Sequence, residues 1–189
     1  IIPNATDLHL FLPENVNRDK VRQIRRKYGF KDGDVVLCFC GRLGKEKSID
    51  VLIEYFAKSS EKCDKYKLLI MGDGPENESL KQLARDTGFA DRIFFTGKVD
   101  HEEISAYYYA CDLYATASVT EANSISALEA GASGLLMLQK LDEGNKYQIT
   151  QGENGYTFKD FEEFDLRLRD YTALLRMWRY TDFWKAIRV

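Results

Sequence analysis

The chain has 189 residues, of which 44% are hydrophobic and 30% charged, so it is long enough to fold around a substantial core. Its formal net charge of −3 lacks the basic excess of a nucleic-acid-binding surface, and we predict no nucleic-acid partner. It contains no run of about eighteen apolar residues, so no transmembrane helix is predicted. The start, IIPNATDL, has neither a methionine nor a basic leader followed by an apolar core. We therefore interpret residues 1–189 as a single domain taken from a longer protein.

The four cysteines, Cys38, Cys40, Cys63 and Cys111, include no CxxC pair, and the two histidines are far from them in sequence. This spacing argues against a zinc site. It favours buried free thiols in a reducing compartment, and we expect a cytoplasmic protein. We also expect Cys38 and Cys40 to lie on opposite faces of one strand.

Strand-like and helix-like segments alternate along the chain. Short β-branched and apolar runs predict strands, and longer runs with apolar residues three to four apart predict helices. Predicted strands cover 34–41, 65–74, 91–99, 113–118, 135–138 and 154–159, and predicted helices cover 48–62, 75–89, 101–111, a span opening near Ser124, and the chain beyond Glu162. The strands are apolar almost throughout, as strands buried on both faces are. We therefore expect an α/β fold, with a Rossmann-like, mostly parallel sheet and helices on both faces.

Sheets of this kind bind ligands at the carboxyl ends of their strands. The segment GRLGKEK (41–47) follows the first predicted strand. Gly41 permits a sharp turn there, and the guanidinium of Arg42 with the ammonium of Lys47 suits a diphosphate. The alternative is a solvated basic turn.

Two further strand ends carry glycines. Gly72 and Gly74 precede a helix whose N-terminus carries a partial positive charge, and Gly97 ends the next strand. Exposed backbone groups near Gly97 are suited to pair with the edge of a base. The alternative at both places is that the glycines serve only the turns.

The segment TEANSISALEA (120–130) follows the fourth predicted strand. With a helix start near Ser124, Glu121 lies in the preceding loop and Glu129 on the second turn. The free N–H groups of the helix N-terminus lie between the two carboxylates and bind anions well. A hydroxyl acceptor, a phosphate cradle and a second hydroxyl acceptor in this order suit a nucleotide-sugar. The alternative is that both carboxylates are solvated.

Together these segments resemble the nucleotide-sugar-binding, C-terminal domain of a retaining glycosyltransferase of the family 4 type (group 1), which has the GT-B fold. The resemblance rests on IPNATD (2–7), GRLGKEK (41–47), LLIMGDGP (68–75), IFFTGKV (93–99), the E-x7-E segment SVTEANSISALEAGASG (118–134) and Asn-Gly at 154–155. It covers nearly the whole chain in the family's order. It implies that the chain is the donor domain and that the acceptor domain of the parent protein is absent from it.

The resemblance also implies residue roles. Arg42 and Lys47 would grip the diphosphate, Glu121 would hold hydroxyls of the transferred sugar, and Glu129 would accept hydrogen bonds from the ribose. Arg42, Lys47 and Glu121 would thus be the catalytic group, with Glu121 acting as a positioning residue. The other implied donor contacts are Gly41, Gly72, Gly74, Lys98, Val99, Asn123, Ser124 and Ile125, with Lys98 and Val99 beside the base.

The implied chemistry is hexosyl transfer with retention, by front-face attack, from a UDP-linked sugar to a saccharide or lipid acceptor in glycan or glycolipid synthesis. The family needs no metal or cofactor, because protein cations stabilise the leaving diphosphate. The missing domain would bind the acceptor and could meet the inner membrane surface. The chain alone would bind nucleotide without turnover, because such a site lies between two domains.

The sequence departs from the family pattern at Asn123 and Ser124, where an aromatic residue and a glycine are usual, and at Leu136, where proline is usual. The hydroxyl of Ser124 is expected to cap the helix. These departures leave two alternatives open: a non-catalytic nucleotide-sugar-binding module and a GT-B epimerase. A phosphorylase is less favoured because no cofactor-lysine pattern is visible. A dehydrogenase is less favoured because GDGP is not GxGxxG.

Overall fold

The computed structural model describes residues 8–118, 124–142 and 149–178. The IPNATD segment, Glu121 and Asn123 lie outside these ranges. The strands are β1 (Val35–Cys40), β2 (Tyr66–Met71), β3 (Ile93–Phe95), β4 (Leu113–Thr116), β5 (Leu136–Lys140) and β6 (Gly155–Phe158). The helices are α1 (Arg18–Lys27), α2 (Ile49–Ser60), α3 (Asn77–Asp86), α4 (Ile104–Tyr109), α5 (Ile125–Ala132) and α6 (Phe161–Trp178), with 3-10 turns at Leu8–Phe11 and Lys45–Lys47. In the described ranges, no helix has the length and apolarity needed to cross a bilayer.

The strands form one six-stranded sheet in the order β3-β2-β1-β4-β5-β6. Every neighbouring pair is parallel, so the prediction of a Rossmann-like α/β fold is confirmed, and the described sheet is entirely rather than mostly parallel. The strand order reverses between β1 and β4. This reversal is the topological switch point, where open parallel sheets bind ligands.

Alternate residues of the central strands point into two hydrophobic cores, one on each face of the sheet. Leu37 and Phe39 face α2, α3 and α6, whereas Val36 and Cys38 face α1, α4 and α5. Cys40 packs on the same side as Cys38. The expectation of opposite faces for these two cysteines is therefore wrong, because residues two apart on a strand share a face. All four cysteines lie within the described residues, and none forms a disulfide.

Helix α1 was not predicted from the sequence, because it buries only Val21 and Ile24 among its ten residues. Its start carries a cap in which the side chain of Asn17 accepts a hydrogen bond from Lys20 N at 3.0 Å. The ammonium of Lys20 also pairs with Glu103 at 2.6 Å, which ties α1 to the segment preceding α4. Most other predicted elements exist but are shorter than expected, β3 and α4 most of all, whereas β5 extends two residues beyond the predicted 135–138.

The β1–β4 junction is fixed by Asp112, a carboxylate only 1% exposed. Its Oδ2 accepts a hydrogen bond from Val36 N at 2.8 Å, and its own N–H donates to Val36 O at 2.8 Å. The hydroxyl of Tyr171 in α6 donates to the Asp112 carbonyl. These bonds hold together β1 and β4, the two strands between which the strand order reverses.

Candidate functional site

The loops after β1, β2 and β3 interlock at the carboxyl edge of the sheet. Leu43 N donates to Asp73 O at 3.0 Å, and Leu43 O accepts from Glu76 N at 3.0 Å. Farther along the edge, Gly72 N donates to Gly97 O at 2.9 Å. Backbone hydrogen bonds thus join the three segments that contain Gly41, Gly72 and Gly97.

Gly72 and Gly74 are required by this close approach. A Cβ on Gly72 would lie 1.9 Å from Gly41 O, and a Cβ on Gly74 would lie 2.5 Å from Leu43 O. Gly72 also has a φ of 132°, which favours glycine. Loop packing is therefore a sufficient reason for both glycines, and their contact with a donor stays a prediction.

The predicted diphosphate-binding residues lie on the loop between β1 and α2. Arg42 is exposed, and Lys47 is half-buried in the 3-10 turn. The sequence predicts Lys47 at the start of the following helix, but Ser48 separates the 3-10 turn from α2, which begins at Ile49. Ser48 has φ 47° and ψ 41°, a left-handed conformation that is uncommon for residues other than glycine.

The loop after β4 meets this first loop. Ser118, which is fully buried, donates a hydrogen bond from its hydroxyl to Glu46 O at 3.3 Å. Residues 41–47 therefore lie beside the point where the chain enters 119–123. Glu121 and Asn123 belong to that segment, and their predicted roles fall outside the described residues.

Helix α5 begins at Ile125, as the sequence predicted, and Ser124 holds the N-cap position with φ −75° and ψ 117°. The expectation that the Ser124 hydroxyl caps the helix is wrong. The Ser124 hydroxyl instead shares a hydrogen bond with the Ser126 hydroxyl at 2.8 Å, which in turn lies 3.0 Å from the Tyr114 hydroxyl. The first-turn N–H groups of α5 thus receive no cap from Ser124, and helix N–H groups of this kind attract anions.

Glu129 is buried on the second turn of α5, with 6% of its surface exposed. The Tyr108 hydroxyl lies 3.2 Å from Glu129 Oε2 and 3.2 Å from Ser126 O. The alternative that Glu129 is a solvated helix residue is therefore wrong. Buried carboxylates are costly unless they are hydrogen-bonded, so this one calls for a specific reason.

Cys40, the last residue of β1, lies beside the same Tyr108 hydroxyl. Burial raises the pKa of the Cys40 thiol to about 11, and burial also raises the pKa of Tyr108 well above its usual value. Both groups are therefore protonated at neutral pH. They supply O–H and S–H groups beside the Glu129 carboxylate.

The predicted base-contacting pair lies at the far end of the edge. Gly97 has a φ of 72°, which turns the chain after β3. Lys98 is exposed, whereas Val99 is half-buried and packs against the core on the α4 side. Their contact with a base stays a prediction.

Sequence reasoning missed Tyr108 and Tyr114. The run Tyr107–Tyr109 on a predicted helix was the visible signal, because adjacent phenols on a short buried helix need hydrogen-bond partners. Within the described ranges, His, Cys, Asp and Glu form no group of three suited to a metal ion. The expected independence from metal stays a prediction.

Comparison with known proteins places the chain in a family. A family model described as Glycosyl transferases group 1 matches residues 20–171. The chain is 32% identical over 147 residues to alpha-monoglucosyldiacylglycerol synthase of Streptococcus pneumoniae, across 78% of this chain and 33% of that protein. The chain therefore spans about a third of that relative's length.

Two solved structures share the fold. WaaG, a glycosyltransferase involved in lipopolysaccharide biosynthesis, superposes with a TM-score of 0.77 at 22% identity, over 98% of this chain and 50% of that one. The pneumococcal O-GlcNAc transferase GtfA, solved with UDP and GlcNAc, superposes with a TM-score of 0.61 at 25% identity, over 81% of this chain and 30% of that one. With the family model matching most of its length, the chain belongs to the group 1 glycosyl transferases.

Proposed function

We propose that this chain is the donor domain of a retaining glycosyltransferase and binds a nucleoside diphosphate sugar at the topological switch point. The observation that carries the proposal is the meeting of the β1 and β4 loops through Ser118 and Glu46. This contact places the loop that bears Arg42 and Lys47 next to a segment leading into a helix N-terminus. An anionic diphosphate suits that combination.

The donor would lie across the edge of the sheet in a defined order. Arg42, Lys47 and the start of α5 would meet the diphosphate, and Glu129 would accept hydrogen bonds from the ribose. Glu121 would hold the transferred sugar, while Lys98 and Val99 would lie beside the base. Gly41, Gly72 and Gly74 would bring backbone close to the donor, and Asn123, Ser124 and Ile125 would line its diphosphate or sugar.

In the proposed reaction, an acceptor hydroxyl attacks the anomeric carbon from the face that the diphosphate leaves. The bond between the anomeric carbon and the phosphate oxygen breaks, and the departing phosphate takes the hydroxyl proton. Arg42 and Lys47 would offset the charge that develops on the leaving diphosphate, so no metal or cofactor would be needed. Attack from the same face gives retention.

We propose UDP as the nucleotide, since the related O-GlcNAc transferase was solved with UDP. The acceptor would be a saccharide or a lipid, as the name of the pneumococcal glycolipid synthase suggests. It would be bound mainly by an N-terminal domain outside this chain, at the cytoplasmic surface of the inner membrane. Four cysteines outside any disulfide are consistent with a reducing compartment.

The test is calorimetric titration of the chain with UDP, with GDP as a second nucleotide. Replacing both Arg42 and Lys47 by Ala should raise the Kd for UDP at least about a hundredfold, since two charge-assisted contacts of roughly 1.5–3 kcal/mol each sum to about 3–6 kcal/mol. The matched control is Lys45→Ala. Lys45 lines a separate groove between α2 and α3, with Glu76 and Leu80, so its loss should leave the Kd unchanged.

Two results would count against the proposal: no binding of either nucleotide to the unaltered chain, or an unchanged Kd in the double variant. Tighter binding of GDP than of UDP would support the proposed donor site but contradict UDP as its nucleotide.

A non-catalytic nucleotide-sugar-binding module is the second candidate. It is favoured by Ser124, which is 9% exposed and tied into a chain of hydroxyls where the family has glycine. In the full-length protein, Ser124→Gly discriminates between the candidates through donor hydrolysis. Hydrolysis that appears only in the variant supports the module, and hydrolysis already present in the unaltered protein supports the enzyme.

A further inference from the structure

One phenol lies at the centre of the buried polar groups beneath the proposed donor site. Tyr108, on α4, has no exposed surface, and its hydroxyl lies 3.2 Å from both Glu129 Oε2 and Ser126 O. The thiol of Cys40, at the end of β1, lies beside the same phenol. Helices α4 and α5 therefore meet at this single oxygen, with the end of β1 next to it.

We infer that Tyr108 is a positioning residue for the donor: its hydroxyl orients the Glu129 carboxylate toward the ribose without contacting the donor itself. This inference rests on the proposed function, in which Glu129 accepts the ribose hydroxyls. It assigns to α4 a part in donor recognition that the sequence motifs do not contain.

The rigidity of Tyr108 makes it suitable for this task. A glutamate has three side-chain torsions, whereas a tyrosine has two, and the ring of Tyr108 is packed on all sides between α4 and the sheet. A hydrogen bond to Oε2 from this fixed donor orders the carboxylate before any ligand arrives. The ordering cost is then not incurred when the ribose binds.

The start of α5 has an anchor that does not depend on Tyr108. The Ser126 hydroxyl bonds the hydroxyls of Tyr114 and Ser124. Removing the Tyr108 hydroxyl should therefore remove one bond that orients the Glu129 carboxylate, while the helix N-terminus stays in place. The loss should fall on the ribose contact and spare the diphosphate contact.

The neighbouring Tyr109 provides a matched control. It is also buried on α4, and its hydroxyl donates to Phe11 O at 3.0 Å, away from Glu129. Tyr109→Phe and Tyr108→Phe each remove one buried, hydrogen-bonded phenol oxygen and keep the ring. A difference in Kd between the two variants therefore depends on where the lost hydroxyl lies, and not on the general cost of removing a buried hydroxyl.

The experiment measures the Kd of UDP and of inorganic pyrophosphate for the unaltered chain, Tyr108→Phe, Tyr109→Phe, Glu129→Gln and the double variant of Tyr108 and Glu129. Tyr108→Phe should raise the Kd for UDP about tenfold and leave that for pyrophosphate within about twofold, because only UDP carries a ribose. Tyr109→Phe should change neither. In the Glu129→Gln background, Tyr108→Phe should add almost nothing, since the two residues act through one contact.

The outcomes separate the inference from the proposed function. If the unaltered chain fails to bind UDP, the proposed function fails. If it binds UDP and Tyr108→Phe binds equally well, the function stands and the inference is overturned. Equal weakening toward UDP and pyrophosphate, or additive effects with Glu129→Gln, would also overturn the inference, because both indicate a general structural role.

Discussion

At the scale of single residues, the conformation of Ser48 stands out. It adopts left-handed backbone angles between the 3-10 turn that carries Lys47 and the first residue of α2. This conformation costs a non-glycine residue about 1–2 kcal/mol and persists only where the surrounding structure imposes it. Here the conformation of Ser48 sets the angle at which the loop bearing Arg42 and Lys47 enters α2.

Replacing Ser48 by valine should lower the free energy of unfolding by about 1–3 kcal/mol, because a β-branched side chain fits the left-handed region worst. Ser48→Gly is the control and should cost little or nothing, since glycine adopts these angles freely. Urea unfolding of both variants measures the difference. Equal stability of the valine and glycine variants would show that the backbone at this position relaxes at no cost.

Glu129 shows why a residue's role depends on its surroundings. Its spacing from Glu121 is visible in the sequence, but spacing alone fits a solvated carboxylate equally well. Burial and the bond from Tyr108 distinguish the two readings. A carboxylate held inside the protein by a fixed donor is characteristic of a functional site or a structural polar network.

At the scale of elements, the loops at the carboxyl edge form a small extension of the sheet. Gly72 pairs with Gly97 as an isolated antiparallel bridge, and Leu43 exchanges backbone hydrogen bonds with the loop after β2. The position of the Arg42 loop is thus set in part by the loop after β2, which requires glycine at positions 72 and 74, where the two backbones touch.

Gly72→Ala should therefore both destabilise the chain and weaken UDP binding. Its Cβ would lie 1.9 Å from Gly41 O, which forces the β1 loop to move, and its φ of 132° adds backbone strain of about 1–3 kcal/mol. Gly33→Ala is the control, because a Cβ there meets no atom within 4 Å. Thermal melting and UDP titration measure both effects. A Gly72→Ala variant that melts and binds like Gly33→Ala would show that the loops do not support each other.

At the scale of the whole molecule, the core contains several ionisable groups held neutral. Burial raises the pKa values of Cys40, Tyr66 and Tyr108. A group whose folded pKa is above its unfolded pKa contributes stability that is complete below the unfolded pKa and is lost as pH rises through the folded pKa. For Cys40 this window runs from 9.0 to about 11.

The chain should accordingly lose stability between pH 9 and pH 11. A shift of two pKa units at Cys40 corresponds to roughly 2–3 kcal/mol at the upper end, since each unit is about 1.4 kcal/mol. Chemical denaturation across this pH range measures the loss, and Cys40→Ala should make its pH slope shallower. A Cys40→Ala variant with the same slope as the unaltered chain would contradict the assignment to this thiol.

The sequence by itself determined the architecture and the edge that carries the site. Apolar runs separated by amphipathic segments require a parallel sheet covered on both faces, and ligand loops then follow the strands. The local sequence also predicted the start of α5 beside Ser124. It did not predict α1, because only two buried residues mark the apolar face of that helix.

Only the tertiary structure decided which side chains meet at that edge. The contact between Tyr108 and Glu129 joins residues 21 positions apart on different helices, and the bond from Ser118 to Glu46 spans 72 positions. The order in which strands pair, and not any local pattern, brings such groups together. The Ser124 hydroxyl bonds Ser126, two residues away, instead of capping the helix, and Ser126 is in turn held by Tyr114 from β4. Periodicity fixes the face on which a residue lies, whereas its partner across the core depends on packing between elements distant in sequence.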